Sequence, residues 1–412
     1  MSMDVKMAWR NIWRNPRRTL LTICAITFSG MLLVFMLSFQ FGSYETMINA
    51  SVTIQTGHLQ VQARGYHDKK QMQLVIGDTG KIVEILQQIP QIKAYSFRAL
   101  GFSLVSSMDR TYGALVTGID PVNETGVSRL KQLMRRGSFL TPGDLDRALV
   151  GSLLAKNLQV DIGDELTVLG QGRDGSIAAT VVQVKGIYSS GIDEFDRASI
   201  HIPLEYFKEV YDMRGAAHAA VIIVNALGEV PDAKTKISSA LSDTGFHDSL
   251  TVLDWEELMP GLRQGIELDL VSGMIFYVLL IIVVAFSILN TFLMAILERT
   301  REFGVMIAIG TTPGRLTKLL LFESMAMTLV GIFAGILAGC LVTYYFQVNG
   351  IDLGGSSELL GQYGISGRIH PKLSIWSISI GPLAVLLITF FAALYPALRV
   401  RRLKPVEAMV AV

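Results

Sequence analysis

The sequence predicts a membrane protein with four transmembrane α-helices and one large α+β extracytoplasmic domain inserted between helices 1 and 2. Four runs of residues, at 20–41, 270–297, 324–346 and 375–398, contain no Asp, Glu, Lys or Arg. Each run has at least about the 20 residues that cross the hydrocarbon of a bilayer. Residues 42–269 separate the first two runs and are numerous enough for one large or two small soluble domains.

A buried core helix is the alternative for any single run. Helices of globular proteins, however, average about 11 or 12 residues and rarely stay uncharged for twice that length. The run at 375–398 contains Pro382 and Pro396, which a membrane helix tolerates when its neighbours satisfy the freed backbone groups. The run at 270–297 extends back to about residue 268, so its helix is longer than the hydrocarbon is thick. We therefore expect four spanning helices, the second of which continues as a stalk.

The positions of Lys and Arg predict the orientation, because cytoplasmic flanks of membrane helices carry an excess of both. The excess lies in 1–19, 298–323 and 399–412, on these residues: Lys6, Arg10, Arg14, Arg17, Arg18, Arg299, Arg301, Arg315, Lys318, Arg399, Arg401, Arg402 and Lys404. We expect both termini and the 298–323 loop in the cytoplasm. The domain at 42–269 and the loop at 347–374 are expected in the opposite compartment.

Residues 1–19 are predicted to form an amphipathic cytoplasmic helix. Trp9 and Trp13 are four residues apart, as are Arg10 and Arg14, so a helix here has an aromatic face and a basic face. The alternative is a plain basic flank with interfacial tryptophans. No small-residue cleavage pattern follows the first apolar run, which predicts an uncleaved anchor.

Composition and motifs argue against catalysis by this chain. The net charge of +1 gives no reason to expect a nucleic-acid partner. Cys24 and Cys340 both lie in apolar runs, which argues against a disulfide-bonded exterior. The sequence has no phosphate-binding loop, no His-Glu-x2-His and no nucleophile elbow, and the spacing of its histidines predicts no metal site.

The inserted domain mixes strand and helix patterns. Alternation in "TIQTGHLQVQARGY" and the apolar "ALVTGIDP" predict strands, and "DELTVLGQGRDGSIAATVVQVKGIY" predicts a hairpin about residues 170–175. The stretch "DTGKIVEILQQIP" predicts a helix with Asp78 or Thr79 as its N-cap. Further helices are predicted at 124–135, 149–158 and 232–243.

The stretch "ERTREFGVMIAIG", residues 298–310, is charged and amphipathic although it lies between two apolar runs. A helix over it places Phe303, Met306, Ile307 and Ile309 to one side, as a segment that docks in another protein's groove requires. A solvated connector is the alternative, but a connector does not require apolar side chains in water. We expect that Asp at Gly304 or Met306 disrupts docking without preventing membrane insertion.

Residues 298–324, "ERTREFGVMIAIGTTPGRLTKLLLFES", resemble the cytoplasmic coupling segment of the FtsX/MacB-like permeases of ABC transporters. The basic stretches "WRNIWRNPRRT" and "YPALRVRRLKPVEAM" are also similar to that superfamily, so the resemblance covers the whole chain. It implies multi-pass insertion in a bacterial inner membrane, a periplasmic domain and a non-catalytic subunit. The residues that it assigns to ATPase coupling are Glu298, Arg299, Arg301, Glu302, Phe303, Gly304, Val305, Met306, Ala308 and Gly310.

Within the domain, "TGHLQVQARGYHD", "VTGIDPVNE" and "ALVGSLLAKNLQVDIGDELTVL" are similar to the LolC/LolE branch, which extracts lipoproteins destined for the outer membrane. The resemblance implies an ABC ATPase subunit dimer that binds ATP and Mg, with no cofactor in this chain, and a second permease chain that is identical or paralogous. LolC-like chains carry a longer hairpin that docks a periplasmic lipoprotein carrier. Here the turn at 170–179 is short, which puts direct carrier docking in doubt.

Two further sets of membrane residues have predicted roles. Gly331, Gly335 and Gly339 are four residues apart and predict a close-packing ridge, although glycine is also generally common in membrane helices. A cavity for acyl chains or membrane lipids between the first and second helices of two protomers requires flexible, uncharged walls. Its candidate residues are Met31, Phe35, Phe39, Met274, Phe276 and Tyr277, although lipid-facing or packed positions use the same residue types.

Three functions remain open. The first is lipoprotein release towards the outer membrane. The second is MacB-like export of a peptide, lipid or drug. The third is FtsX-like transmembrane signalling to a periplasmic hydrolase, in which no cargo moves. The size of the inserted domain favours the first two, because a regulator that carries no cargo needs less.

Overall fold

A computed structural model describes residues 10, 12–246, 248–352 and 368–400. The chain divides into two compact units. The helical unit consists of Met1–Tyr44, Ile266–Asp352 and Ile369–Val412, and the inserted domain consists of Glu45–Gly265 and Leu353–Arg368. Most of the predicted 1–19 helix, nearly all of the 399–412 tail, residues 353–367 and His247 lie outside the described residues.

The described elements follow in chain order. The helices are α1 (Pro16–Val52), α2 (Tyr66–Lys69), α3 (Thr79–Gln87), α4 (Glu124–Val127), α5 (Ser152–Leu158), α6 (Asp193–Ala198), α7 (Leu204–Val210), α8 (Val230–Asp243), α9 (Trp255–Leu258), α10 (Pro260–Glu298), α11 (Thr300–Ala308), α12 (Pro313–Asn349) and α13 (Ile375–Val400), with 3₁₀ turns at Leu130–Leu133 and Leu227–Glu229. The strands are β1 (Leu59–Ala63), β2 (Ile92–Ser106), β3 (Thr111–Ile119), β4 (Met134–Gly137), β5 (Arg147–Gly151), β6 (Glu165–Gln171), β7 (Ile177–Tyr188), β8 (Ser199–Pro203), β9 (Ala219–Val224), β10 (Leu250–Asp254), β11 (Ile351–Asp352) and β12 (Arg368–Ile369).

Four of the described helices, α1, α10, α12 and α13, are long and apolar enough to cross a membrane. Both α1 and α10 extend past the apolar runs, to Val52 and back to Pro260. Gly42 lets α1 pass close to the segment at His370, because a Cβ at Gly42 would lie 2.3 Å from the His370 carbonyl oxygen. Pro382 and Pro396 are accommodated inside α13.

Glycine residues on α12 bring this helix close to α1. A Cβ at Gly335 would lie 2.8 Å from the carbonyl oxygen of Thr27, and one at Gly339 would lie 2.9 Å from Cβ of Val34. At Gly331 the nearest atom would be Cβ of Ile26, also at 2.8 Å. Only residues without a side chain allow this approach, which is how small residues pack membrane helices.

The inserted domain is built on a ten-stranded sheet within the described residues, in the order β10-β1-β9-β2-β3-β8-β5-β7-β4. β6 pairs with both β2 and β7, so β2, β3, β8, β5, β7 and β6 close a six-stranded cycle. The long β2 joins this cycle to the remaining strands β10, β1 and β9. It pairs with β9 over 92–98 and with β3 over 98–106. Each strand of the cycle contributes to one buried apolar cluster, through Ala99, Val116, Ile200, Val150, Val182 and Val168.

The local predictions for the domain are partly right. The hairpin is confirmed, since β6 and β7 pair from Glu165↔Gln183 to Gln171↔Ile177, and Asp78 caps α3 by accepting the Lys81 N–H. The helix predicted at 124–135 is wrong beyond Val127, because Ser128 is extended and a 3₁₀ turn and β4 follow. The helix predicted at 149–158 begins only at Ser152. Gly151 ends β5 there, where a Cβ would lie 2.2 Å from the Asp196 carbonyl oxygen.

Buried histidines cross-link the domain in the neutral state. His58 Nδ1 accepts the Val224 N–H at 3.1 Å, and His218 Nδ1 accepts the Leu100 N–H at 2.9 Å. Burial lowers the pKa of His58 and of His218 to about 4. Burial and the charge of Arg98 lower the pKa of His201 to about 3. None of these imidazoles carries a proton charge near neutral pH.

The histidines predict acid lability of the inserted domain. Their folded-state pKa values lie below the unfolded value of about 6.5, so the unfolded chain binds more protons and stability is lost as the pH falls from 6.5 towards 4. Each such histidine costs roughly 1.4 kcal/mol per pH unit in that window. We expect calorimetry of the full-length protein in lipid nanodiscs to show a lower melting temperature at pH 5 than at pH 7. The variant His58→Gln should have a shallower pH slope; a melting temperature independent of pH would contradict the prediction.

Candidate functional site

The predicted coupling segment folds as the short helix α11 with a closed C-terminus. Gly310 has φ +102°, in the left-handed region. Its N–H donates to the Ile307 carbonyl at 3.0 Å, and the Thr311 N–H donates to the Met306 carbonyl at 2.9 Å. This pair of bonds is the Schellman arrangement, whose turning residue is left-handed and most often glycine. Gly310 therefore fixes where α11 ends.

One face of α11 packs into the helical unit itself. The Phe303 side chain is 1% exposed and lies in a cluster with Ile296, Leu316, Leu320 and Ala397. Met306 and Ile307 are partly buried against the same cluster, and Gly304 is buried. This corrects the prediction that Phe303, Met306 and Ile307 form an outward docking face with Ile309. These three apolar side chains are shielded from water by the chain's own helices and not by a partner protein.

The opposite face of α11 is exposed and partly apolar. Arg301, Val305, Ala308 and Ile309 are exposed, and their spacing of four, three and one puts them on one side of a helix. Val305 is 44% exposed and Ile309 is 80% exposed. An Asp at Gly304 would therefore enter the core, so Val305 and Ile309 are the better positions for a test of docking.

Charged residues around α11 form a network of ion pairs that runs from exposed to buried positions. Arg14 makes two bonds to the Glu302 carboxylate, at 2.5 and 2.9 Å, and Arg18 pairs with Glu298 at 2.9 Å. These contacts tie the first turn of α1 to the end of α10, and the residues just before α1 to α11. The first pair is largely exposed, and such pairs contribute about 0 to 1 kcal/mol.

Arg299 and Glu323 form the buried part of this network. Both side chains are largely buried, at 13% and 15% exposure, and the guanidinium lies 3.3 Å from the carboxylate. Arg299 also pairs with Glu302 at 3.3 Å and lies over the Phe303 ring. A cavity of about 180 Å³ lies beside these groups and is lined by Arg18, Glu298, Arg299, Glu302, Glu323 and Thr22, among others. Loss of Arg299 would leave the Glu323 carboxylate buried without its ion-pair partner, whereas Arg299 keeps Glu302 when Glu323 is lost.

The candidate substrate-cavity residues are brought together only in part. Phe35 stacks on Phe39 with ring centroids 6.3 Å apart, but its other aromatic neighbour is Phe346 of α12, at 5.8 Å. Met31 is half-buried, with its carbonyl oxygen facing Gly339. Met274 and Phe276 are each 66% exposed on α10. Their role in a cavity stays a prediction.

Sequence reasoning missed a polar chain between α1 and α10. The Tyr277 hydroxyl donates to Gln40 Oε1 at 2.7 Å, Gln40 Nε2 donates to the Tyr44 hydroxyl at 2.7 Å, and that hydroxyl donates to Asp269 Oδ2 at 2.5 Å. Hydrogen bonds of this kind hold membrane helices together. The available signal was the spacing of Gln40 and Tyr44, four residues apart at the end of an apolar run.

Two family models match the sequence. The MacB-like periplasmic core domain matches residues 19–239, which is more than half of the chain, and the FtsX-like permease C-terminal region matches residues 274–405.

Individual proteins are similar at low identity. The lipoprotein-releasing system transmembrane protein LolC of Xylella fastidiosa is 24% identical over 312 residues, or 73% of this chain and 74% of that protein. The pyoverdine export ATP-binding/permease protein PvdT of Pseudomonas aeruginosa is 24% identical over 414 residues, or 98% of this chain and 58% of that protein. The solved periplasmic region of MacB from Actinobacillus actinomycetemcomitans covers 52% of this chain and 94% of its own, with 12% identity and a TM-score of 0.36.

The buried pair can be tested by a double-mutant cycle. We expect Arg299→Met to lower the free energy of unfolding by about 3 kcal/mol, because it leaves the Glu323 charge buried and unpaired. The double variant Arg299→Met with Glu323→Leu should recover much of this loss. Thermal unfolding in nanodiscs measures the effect.

Lys236→Met is the matched control, because it removes an exposed pair with Asp232 and should change stability by less than about 1 kcal/mol. Additive effects of Arg299→Met and Glu323→Leu would contradict the assigned pairing.

Proposed function

The chain belongs to the family of ABC transporter permeases that combine a MacB-like periplasmic core domain with an FtsX-like C-terminal region, and on that premise we propose that it couples ATP hydrolysis by a separate ATPase subunit to the release of lipoproteins from the inner membrane. In this proposal the chain itself is non-catalytic. ATP and Mg are bound by the partner ATPase dimer, and a second permease chain completes the complex. The termini and α11 face the cytoplasm.

The observation that carries the proposal is the exposed face of α11. Val305 and Ile309 present apolar side chains on a helix whose other face is buried against its own unit. A short helix held in this way fits a groove on a partner protein, because its conformation is already fixed before binding. Arg301 lies on the same face and adds a charge that can select the partner.

The contacts of α11 support transmission of force. A displacement of α11 by the ATPase acts on Phe303 and Arg299, which lie against residues of α10 and α12. Packed cores move as units rather than deform continuously. α10 is a continuous helix from Glu298 to Pro260, so it is suited to act as the lever that carries the motion towards the inserted domain.

Lipoproteins are the cargo that the relatives favour. LolC matches 73% of this chain and 74% of its own length, so the similarity extends over most of both proteins. In this chain only residues 172–176 lie between β6 and β7. A periplasmic lipoprotein carrier would therefore dock elsewhere, or on the second permease chain.

Export of another amphiphilic cargo is the second candidate. The MacB-like core domain and the match of PvdT to 98% of this chain favour it. Both candidates need the same coupling through α11, and they differ in what enters from the membrane or the periplasm.

Coupling can be tested on the exposed face of α11. We expect Ile309→Asp and Val305→Asp to weaken ATPase binding by at least about tenfold, because a carboxylate buried at the interface without a partner costs several kcal/mol. Co-purification of the ATPase and substrate-stimulated ATP hydrolysis in nanodiscs measure the loss.

Val122→Asp is the matched control, since Val122 is 60% exposed in the inserted domain and should leave coupling unchanged. Full coupling in both α11 variants, with normal membrane insertion, would contradict the docking assignment.

The cargo can be tested by depletion in cells. We expect triacylated lipoproteins to accumulate in the inner membrane when this chain is depleted, as measured by membrane fractionation and mass spectrometry. Complementation with the wild-type gene, but not with the Ile309→Asp variant, should restore sorting. Normal sorting after depletion would reject lipoprotein release and leave export of another amphiphile.

A further inference from the structure

The inserted domain contains a large open chamber over one face of its sheet. Its volume is about 730 Å³, within the roughly 300 to 1,000 Å³ of small-molecule sites. We call this cavity the sheet chamber. Its floor is formed by Gln60, Gln62, Arg98, Leu100, Thr117 and His201. All the residues that line it belong to the inserted domain.

Strand register explains how these side chains share one surface. Gln62 pairs with Ala219, which pairs with Arg98; Leu100 pairs with Thr117, which pairs with His201. Residues directly opposite one another point to the same face of a sheet. The intervening residues on these strands, such as Val61, Ala99 and Ile200, are buried apolar residues of the opposite face. The sheet therefore has one apolar face and one polar face.

Four polar side chains of this face are buried, which is unusual because polar side chains normally keep their water contacts. Gln60, Gln62, Thr117 and His201 are each 7% exposed or less. Burial of such groups has a cost unless every polar atom finds a hydrogen-bond partner.

Two atoms of this face have no partner among the residues that the structure describes. Gln60 donates to the Thr56 carbonyl at 2.7 Å, and Gln62 Nε2 donates to Gln60 Oε1. This row of amides ends at Gln62 Oε1, which is buried and unpartnered, and His201 Nδ1 is in the same condition. Both atoms belong to side chains that line the chamber. A buried carboxamide oxygen can only accept, so the group that satisfies it must be an N–H or O–H donor.

The charges of the chamber limit the ligand further. Arg98 is neutralised by Glu124, with a 2.5 Å contact and a second bond at 3.2 Å. Lys70 is exposed among the lining residues, and within the described chain no Asp or Glu side chain lines the chamber. A cationic ligand would have no carboxylate to pair with among the described residues of this chamber, whereas a neutral or anionic ligand would meet no repulsive charge from them.

Apolar side chains complete the site. Phe102 and Leu115 are cross-strand partners beside the polar floor, and they are 72% and 36% exposed. Phe195 and Met72 add further apolar surface to the lining. Exposed apolar groups beside unpartnered polar atoms suit a ligand that has both an apolar part and a hydrogen-bonding part.

We propose that the sheet chamber binds a small neutral or anionic amphiphile whose amide N–H groups donate to Gln62 and His201 while an adjacent apolar group lies against Phe102 and Leu115. This chemistry occurs both in short peptides and in N-acyl amides of lipids. The site is separate from α11 and does not depend on which cargo the complex moves.

The test uses the full-length protein in lipid nanodiscs, so that detergent does not occupy the chamber. Equilibrium binding is measured for radiolabelled N-acetyl-leucyl-phenylalaninamide, for N-octanoyl-glycinamide, and for the analogue of the first probe in which the central N–H is replaced by an ester oxygen. We expect saturable binding of at least one amide probe. Tighter binding of N-acetyl-leucyl-phenylalaninamide would identify the ligand as a peptide, and tighter binding of N-octanoyl-glycinamide would identify it as an N-acyl amide of a lipid. Where the peptide probe binds, we expect the ester analogue to be about tenfold weaker, since it lacks the donor.

Variants locate the site. Gln62→Met and His201→Phe keep side-chain size and remove the two unpartnered atoms, and each should weaken binding about five- to tenfold. Phe102→Ala changes a mostly exposed side chain, so it keeps the test valid if the buried variants fail to fold, and it should also weaken binding. Gln87→Met, at an exposed position on α3, is the control and should bind as the wild type does.

Three results would overturn the proposal. They are the absence of saturable binding for both amide probes, equal affinity for the peptide and its ester analogue, and binding that Gln62→Met in folded protein and Phe102→Ala both leave unchanged.

Discussion

The burial of Phe303 and of the Arg299–Glu323 ion pair is the constraint on which the helical unit depends. Two opposite charges removed from water are stable only when they stay together, and an aromatic side chain at 1% exposure resists any motion that would expose it. α11 is therefore fixed to α10 and α12 although it is only a short helix between them. A force on its outer face would therefore act on α10 and α12 as well, and not on a loose loop.

The inserted domain uses polar side chains in the opposite way. In the helical unit, the buried charges of Arg299 and Glu323 are paired with each other. On the polar face of the sheet, the amide row of Gln60 and Gln62 is buried but incomplete, and it ends at an oxygen that has no partner among the described residues. A protein tolerates such a cost at a site that something else completes, because stability elsewhere in the domain offsets it. The apolar face, with its continuous clusters, provides that stability.

Much of the fold could be predicted because its signals are local. Asp78 caps α3, the β6–β7 hairpin closes where glycine residues predicted a turn, and the four apolar runs lie in the long helices. The errors are at positions where distant contacts decide. Gly151, the last residue of β5, lies where the Asp196 backbone leaves no room for a Cβ, and α4 stops at Val127, near the buried Arg98–Glu124 pair. The apolar alternation of β1 was visible, but the burial of both its faces was not.

By itself the sequence determined the number of apolar spans, the large insertion after the first of them, and the identity of α11 as the segment to examine. These features follow from the length and composition of continuous stretches, which neighbouring residues report directly. Only the tertiary structure decided that Phe303 points inward while Val305 and Ile309 point outward, and that the sheet buries a polar face. α11 is apolar on more than one side, so the covered face depends on partners such as Arg14, Leu316 and Ala397, which are distant in the sequence.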